Sequence, residues 1–306
     1  ALYMDYYLNL INTIGIHTLL GLSAYLLILT GQVSMAQAGF FGIGAYTAAI
    51  LTVIFESSIL TAIGAAMLVS GGVAFLVGFP ALRVRGLMLV VATVAFSEFA
   101  RMFFYNLKWR VVRDGAEIGP DGTMGFAEIR YFNDNGWLNW EVTIFLWVFV
   151  AVVMALIWWS DKTRIGAVLR AVGEDELAAD STGINVTVVK VAAMTAGGVV
   201  AGLAGSLYAH QVTDLDHHTF TVLLATFAIA YPILGGLSNV FGTLIAVLFI
   251  QGLLVEGLRF LGDWRMLLFG ALIILAMNIK PLGLFDNQTI RILRNALGVK
   301  RRSGSV

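Results

Sequence analysis

Few residues in this chain have types and spacings that could do chemistry, and they exclude more reactions than they allow. Glu98 and Arg101 stand at i, i+3 in "AFSEFARMFF", on one face of a helix, where pairing lowers the cost of holding either charge among apolar neighbours. Glu256 and Arg259 repeat the spacing. Ionisable groups in such surroundings are functional candidates by default. The competing reading is a structural pair facing a helix bundle, and the available partner favours that reading over a proton relay, which needs an unpaired carboxylate. His217 and His218 follow Asp214 and Asp216 in "DLDHH". That run offers metal-ligand atoms without the spacing of a known ligand set, so solvated loop polarity is the expectation and no metal site is assigned. His17 and His210 complete no HExxH pair, and no GxSxG elbow occurs, which excludes the usual metalloprotease and serine hydrolase arrangements. Cysteine is absent, so thiolate ligands, disulfides and Cys nucleophiles are excluded. No Lys follows a Gly, so the phosphate-cradling GxxxxGK[ST] loop is missing. The expectation is a non-catalytic chain without its own cofactor, whose energy, if it comes from ATP, is delivered by another subunit.

These residues are set in a strongly apolar chain. Mean hydropathy is +0.86 over 306 residues, and the 12% charged fraction is about half that of soluble domains. Apolar windows near 8–30, 34–55, 58–80, 86–106, 142–159, 188–210, 222–237, 241–259 and 265–280 each approach the ~20 residues that cross a bilayer. The expected fold is an all-α, polytopic transmembrane helical bundle of about eight or nine spans, some broken or re-entrant. The first window, Leu8 to Thr30, has no basic n-region or small-residue cleavage site and exceeds a signal-peptide h-region, so it is expected to remain as a membrane helix. Net charge is zero and the basic residues lie in short patches, leaving no extended surface for nucleic acid. Arg83 and Arg85, then Lys162, Arg164 and Arg170, and finally the tail mark cytoplasmic loops, whereas 212–221 has no Lys or Arg and is placed outside. The resulting organisation is a single transmembrane domain over 1–290, an outer segment at 107–141, an inner loop at 160–187 and a basic cytoplasmic tail at 291–306.

Two windows are interrupted. "TGQVSMAQAGFFGIGAY" carries Gln32, Ser34, Gln37 and Gly39, and "YPILGGLSNVFG" carries Pro232, Gly235, Gly236, Ser238 and Asn239. Backbone groups freed by such residues survive at membrane depth only if protein or a wet cavity satisfies them. Paired interruptions in transporters mark a substrate path; the equally weighted alternative is close helix packing through small residues. For Gly198 to Gly205 in "GGVVAGLAG", GxxxG spacing favours packing.

The inner loop, "DKTRIGAVLRAVGEDELAADSTGINVTVVK", has its own pattern. Ile165, Val168, Leu169 and Val172 fall at helical spacing, Gly173 is expected to break the helix, and a second short helix begins near Leu177 for Gly183 to cap. Glu174, Asp175 and Glu176 cluster at that helix's N-terminal end, where the macrodipole favours acids. A short, capped, Ala-rich helix suits insertion into a partner's groove; a solvated connection is the plain alternative.

With that loop on the page, the chain resembles a known family. Ala178, Ala179 and Gly183 match the coupling segment of ABC importer permeases, with Leu177 where an acid is usual and Glu176 one place early. "LRAVGEDELAADSTGINVTVVK", "GQVSMAQAGFFGIGAYTAA", "LRVRGLMLVVATVAFSEFAR", "AGLAGSLYA", "LGGLSNVFG" and "PLGLF" are similar to the LivM type of branched-chain amino acid permease, from about Leu10 to Phe285. Gly173, where a basic residue is common, and Ser238-Asn239, in place of Gly-Ser or Gly-Thr, depart from it.

The resemblance implies a permease subunit in the bacterial inner membrane, among lipid. Its partners would be a second, LivH-like permease, two cytoplasmic ATP-binding subunits that hold ATP and Mg²⁺, and a periplasmic substrate-binding protein. In the mechanism this implies, the binding protein docks on 107–141, the segment 174–183 sits in an ATPase groove, and the windows near Gly39 and Gly235 open alternately. Gln, Ser, Asn and backbone dipoles in those windows suit an uncharged or zwitterionic solute, such as an amino acid with an apolar side chain; urea, amides and aromatic compounds are alternatives. The rival class is an ion-coupled secondary transporter of small polar solutes.

Overall fold

Helix α9 (Val186–Val212) runs through the centre of the bundle because its sequence removes bulk where other helices cross it. A Cβ on Gly198 would lie 2.2 Å from Ala74 Cβ, one on Gly202 2.5 Å from Ser70 Cβ, and one on Gly205 1.9 Å from the Phe41 carbonyl oxygen. The stripe from Gly198 to Gly205 is therefore a packing seam, where glycine lets two backbones meet and dispersion, rather than hydrophobicity, holds helices together inside a bilayer. Ser70 Oγ lies 2.9 Å from the carbonyl oxygens of both Phe40 and Gly198, stitching three helices at the seam.

The computed structural model describes residues 2–81, 84, 86–113, 116–237, 239–257, 262 and 264–279. In order, α1 (Leu2–Ile28), α2 (Gln37–Val53), α3 (Ile59–Ala81) and α4 (Leu87–Asn106) are followed by a short hairpin of β1 (Val111–Arg113) and β2 (Ala116–Ile118). The one-turn helix α5 (Tyr131–Asp134), α6 (Asn139–Asp161), α7 (Arg164–Glu174), α8 (Glu176–Ser181) and α9 come next. Helix α10 (Val222–Gly235) then turns into α11 (Val240–Val247), which continues as π-helix over Leu248–Gly257 before α12 (Trp264–Ile279). The strands pair antiparallel with Val111 opposite Ile118, a small addition to an otherwise helical fold.

Among the described residues five helices are long and apolar enough to cross a membrane, or six if the α10–α11 pair, bent by 120°, is one broken span. That is fewer than the eight or nine windows, because α2 and α12 fall short at 17 and 16 residues and two windows fold back on each other. Helix α1 is central, with 78% of its best apolar window buried. Helices α4 and α6 are peripheral, 28% and 33% buried, and turn Phe99, Ile144, Val148 and Leu156 outward, as lipid requires. On α6, exposed Trp140 at one end and Trp158 and Trp159 at the other stand roughly 27 Å apart along the axis, about one hydrocarbon thickness. Lys162 Nζ sits 3.2 Å from the Trp158 ring centroid, a cation–π contact at the headgroup level.

The two ends of the bundle are distinct. Phe126 bridges Leu215, and Ile129 N–H donates to the Thr213 carbonyl, so the segment after α4 and the loop after α9 share the end assigned outside. The N-terminal part of α1 joins them, through Asn139 Nδ2 to Asp5 Oδ1 at 2.7 Å. Helices α7 and α8 lie at the opposite end of α6. The tail 291–306 and Arg259 lie outside the described residues, as does the side chain of Glu256.

Candidate functional site

The interruption after α1 occupies residues 29–36; it starts against Gly173 of α7 at the inner end, and Gln37 just beyond it reaches Gly197 near the middle of α9. Its backbone is satisfied by two hydroxyls one turn apart on α4. Met35 N–H donates to Thr93 Oγ1 at 3.0 Å, Ser97 Oγ donates to the Met35 carbonyl at 2.6 Å, and Gly39 N–H reaches Ser97 Oγ at 3.3 Å. Ser34 Oγ accepts from Ala36 N–H. Gln32, Ser34 and Gln37 are buried at 1%, 3% and 0% exposure, so they form an interior layer. A Cβ on Gly39 would lie 2.9 Å from the Phe96 ring, which makes it a packing glycine. Gln32 Oε1 and both polar atoms of Gln37 have no hydrogen-bond partner, and unsatisfied buried amides of this kind are costly. They are the polar feature of this window that packing leaves unexplained.

The second interruption reaches the same end. Pro232 takes one hydrogen bond out of α10, Gly236 (φ +89) closes it, and Asn239 Oδ1 accepts from Phe241 N–H to begin α11. A Cβ on Gly235 would lie 2.3 Å from the backbone of Gly242, so the glycines allow the two arms to touch. Ser238 lies outside the described residues.

Both interruptions meet α7. Arg170 Nη1 donates to the Leu237 carbonyl at 3.0 Å, and Nη2 donates to the Tyr25 hydroxyl at 3.3 Å. Nη2 also lies 3.3 Å from Asp161 Oδ1. The Tyr25 hydroxyl stands 3.0 Å from Asp161 Oδ2 and 3.2 Å from the Leu237 carbonyl, donating to one at a time. A Cβ on Gly173 would lie 2.3 Å from the Leu29 carbonyl oxygen and 3.2 Å from Gly31 N, so α7 is pressed against the other interruption as well. Gly173 therefore stays inside α7 and is small because another backbone crosses it; it does not break the helix. The break is Asp175, extended at φ −152, whose carboxylate accepts from Leu177 N–H and Ala178 N–H at 2.9 and 3.1 Å. Asp is a strong N-cap, and this one ends α7 by starting α8.

The remaining loop residues divide by direction. Glu174 closes α7 and is exposed, whereas Glu176 pairs with Lys190 on α9, tying α8 down. Ala179 is buried at 4% exposure. Ala178 faces out, beside Leu177 at 79% and Ile165 at 58%. Gly183 takes φ +87, and Ile184 N–H reaches the Ala179 carbonyl, a left-handed helix end that glycine fits. Gly183→Ala is expected to cost about 1 kcal/mol, because an L-residue strains at that φ although nothing lies within 4 Å of the added methyl; thermal unfolding of the purified protein checks it, and an unchanged midpoint would contradict it.

Elsewhere, Glu98 and Arg101 pair at 2.8 Å, partly exposed. Asp216, His217 and His218 bring ligand atoms within 4.8 Å of one another in one 3₁₀ turn; His217 is buried against Tyr105, and burial followed by the His218 charge pushes it below the usual histidine value. His17 Nδ1 lies 2.8 Å from the Tyr231 hydroxyl, and Gln251 Nε2 donates to that hydroxyl at 2.7 Å, an interior brace. Tyr25, Thr93, Ser97 and Asp161 were not singled out by spacing, and Arg170 was counted only as a loop charge. The i, i+4 hydroxyls of α4 and an acid and a base flanking one helix turn were the available signs.

Comparison with known proteins agrees with this architecture. Residues 6–277 match the family described as "Branched-chain amino acid transport system / permease component". The high-affinity branched-chain amino acid transport system permease protein LivM of Salmonella typhimurium is 30% identical over 298 residues, covering 88% of this chain and 67% of the relative. LivM of Escherichia coli K12 is identical to the same extent, and the ribose import permease RbsC of that organism is 25% identical over 282 residues, 88% of this chain and 83% of its own. No solved structure matches. This multi-pass membrane protein, with its apolar bundle and interrupted inner end, belongs to the permease components of branched-chain amino acid ABC transport systems.

Proposed function

We propose that this chain is the non-catalytic permease subunit of a binding-protein-dependent importer in the bacterial inner membrane, forming half of a path for an amino acid with an apolar side chain. It pairs with a second, LivH-like permease and is driven by two ATP-binding subunits that hold ATP and Mg²⁺. A periplasmic binding protein delivers solute to the segment 107–141. Helices α2 and α12 and the bent α10–α11 pair, added to the five long helices, would bring the count to eight spans.

The observation that carries this reading is the placement of α7 and α8. One side of the pair holds both chain interruptions through Arg170 and Gly173, and the other offers Leu177 and Ala178 to a partner. A push on α8 thus reaches the inner ends of α1, α2, α10 and α11 without passing through a flexible connection. ATP drive is favoured over a proton relay because Glu98 and Asp161 each have an arginine partner, and a relay needs a free carboxylate. The LivM relatives support an amino acid as solute.

Ala178→Arg tests the docking role. The site is exposed, so the subunit is expected to fold and insert normally. Co-purification of the ATPase subunits should fall at least about tenfold, the ~1.4 kcal/mol that one misplaced interface charge readily costs. ATPase subunits that stay bound, with normal uptake, would sink it.

A further inference from the structure

Spacing along the chain makes no known ligand set of Asp216, His217 and His218, but the loop after α9 folds them together. Asp216, extended at φ −114, caps a 3₁₀ turn over His217–Thr219, its Oδ1 accepting from His218 N–H at 3.0 Å. The cap turns its carboxylate back over the turn. One ligand atom from each of three consecutive residues then lies within 4.8 Å of the other two. The turn is itself anchored. Leu215 bridges Phe126, and the His217 ring packs edge-to-face with Tyr105 at a centroid distance of 5.0 Å. One imidazole is thus held in place while Asp216 and His218 stay exposed.

His217 is the informative member. It is buried at 3% exposure, and its Nδ1 has no hydrogen-bond partner among the described residues although Asp216 Oδ1 stands 3.0 Å away. The oxygen therefore lies off the line along which a ring N–H would donate. Neighbouring ligands of one ion are related in just this way. Two atoms each ~2.1 Å from a metal and about 90–110° apart around it stand roughly 3.0–3.4 Å from each other, and neither points at the other. A buried polar atom left without a partner is costly, and a cation on the in-plane lone pair of Nδ1 would remove that cost.

We propose that Asp216, His217 and His218 form an outer-face site for one divalent transition-metal ion of the Zn²⁺ class. Two imidazoles and a carboxylate are donors that such ions take, whereas Mg²⁺ and Ca²⁺ prefer shells of oxygen. Three protein ligands leave a further position to water, so the site is open. The ion reaches Nδ1 by turning aside the Asp216 side chain, which is 57% exposed, and the same carboxylate then closes on it; exposed His218 rotates to complete the set. Arg101, whose charge acts on His217, is paired with Glu98 at 2.8 Å, so its repulsion of a cation is offset. Leu215 pairs with Phe126, and the Thr213 carbonyl accepts from Ile129 N–H, so an ion on this turn stiffens the strap on which the 126–129 stretch rests. The site is independent of which solute crosses.

The full chain, purified in detergent without a histidine tag, is titrated calorimetrically with Zn²⁺ itself as probe. One saturable Zn²⁺ per chain is expected, bound at least about tenfold more weakly by His218→Ala and by Asp216→Asn, since losing a ligand costs no less than losing an outer-shell partner. Asp216→Asn keeps the capping oxygen and both residues are exposed, so these variants report on binding even if His217→Ala fails to fold. Zn²⁺ should also slow amide hydrogen exchange across 213–219 in the wild type and leave it unchanged in His218→Ala. Absence of saturable binding to the wild type, or equal binding by wild type and His218→Ala, overturns the site. Displacement of Zn²⁺ by Mg²⁺ as readily as by Ni²⁺ also overturns it, because exposed carboxylates would then be collecting cations without the imidazoles.

Discussion

Gly205→Ala is expected to destroy the fold, while Gly64→Ala leaves it intact or slightly more stable. The two changes add the same methyl to a helical glycine. At Gly205 the new Cβ would lie 1.9 Å from the Phe41 carbonyl oxygen and 2.9 Å from Ala45 N. Both obstacles are backbone, so no rotamer change relieves the clash and α2 must move away from α9. Overpacking typically costs 1–3 kcal/mol where side chains can give way, so roughly 3 kcal/mol or more is expected here. The displacement also opens the contacts of Gly44, whose own Cβ would meet the Gly202 carbonyl at 2.3 Å. At Gly64 nothing lies within 4 Å, and replacing a helical Gly by Ala gains up to about 1 kcal/mol. Size-exclusion profiles and thermal unfolding of detergent-purified protein report both variants. A Gly205→Ala protein that accumulates and melts as the wild type does would mean that the seam is looser than its geometry.

The seam was legible because it depends on residue size at fixed spacing. The Glu98–Arg101 pair was legible for a related reason, since both partners sit on one helix and need no tertiary information. The depth of the two interruptions was not. Gly, Pro, Gln and Ser mark a chain break wherever it occurs, but only the packing of Thr93 and Ser97 against Met35 shows how the backbone there is satisfied. Composition therefore marks where the chain breaks without showing what each break packs against. Gly173 was misread for the complementary reason. Its helix-breaking tendency is local and worth about 1 kcal/mol, whereas its smallness is demanded by Leu29, 144 positions away in the chain, and the nearby Asp175 cap supplies a better break.

Arg170→Ala is expected to uncouple ATP hydrolysis from uptake while leaving the ATPase subunits bound. The guanidinium is one piece holding three others: the Leu237 carbonyl in the α10–α11 turn, the Tyr25 hydroxyl on α1 and the Asp161 carboxylate at the end of α6. Removing it takes one donor from the turn and leaves Asp161, 13% exposed, with Tyr25 as its remaining described partner. The ion pair itself contributes little, because Arg170 is 34% exposed and solvent screens it. The loss falls mainly on the hydrogen bonds, about 1–3 kcal/mol in stability, too little to unfold the bundle. Function should suffer more. Without the fork, movement of α7 no longer carries the turn with it, and uptake per ATP hydrolysed should drop at least about tenfold, the effect of losing roughly 1.4 kcal/mol of coupling. Leu177 and Ala178 are untouched by the change, so ATPase binding separates this outcome from a docking defect. Arg170→Lys should fall between, since a single ammonium cannot span Leu237 and Asp161 as a planar fork does. Tyr25→Phe combined with Arg170→Ala should cost less than the sum of the two single changes, as expected for residues sharing one network. Proteoliposomes measured for both uptake and hydrolysis decide the matter: wild-type coupling in Arg170→Ala would remove α7 from the transmission path and leave Gly173 as a contact of packing alone.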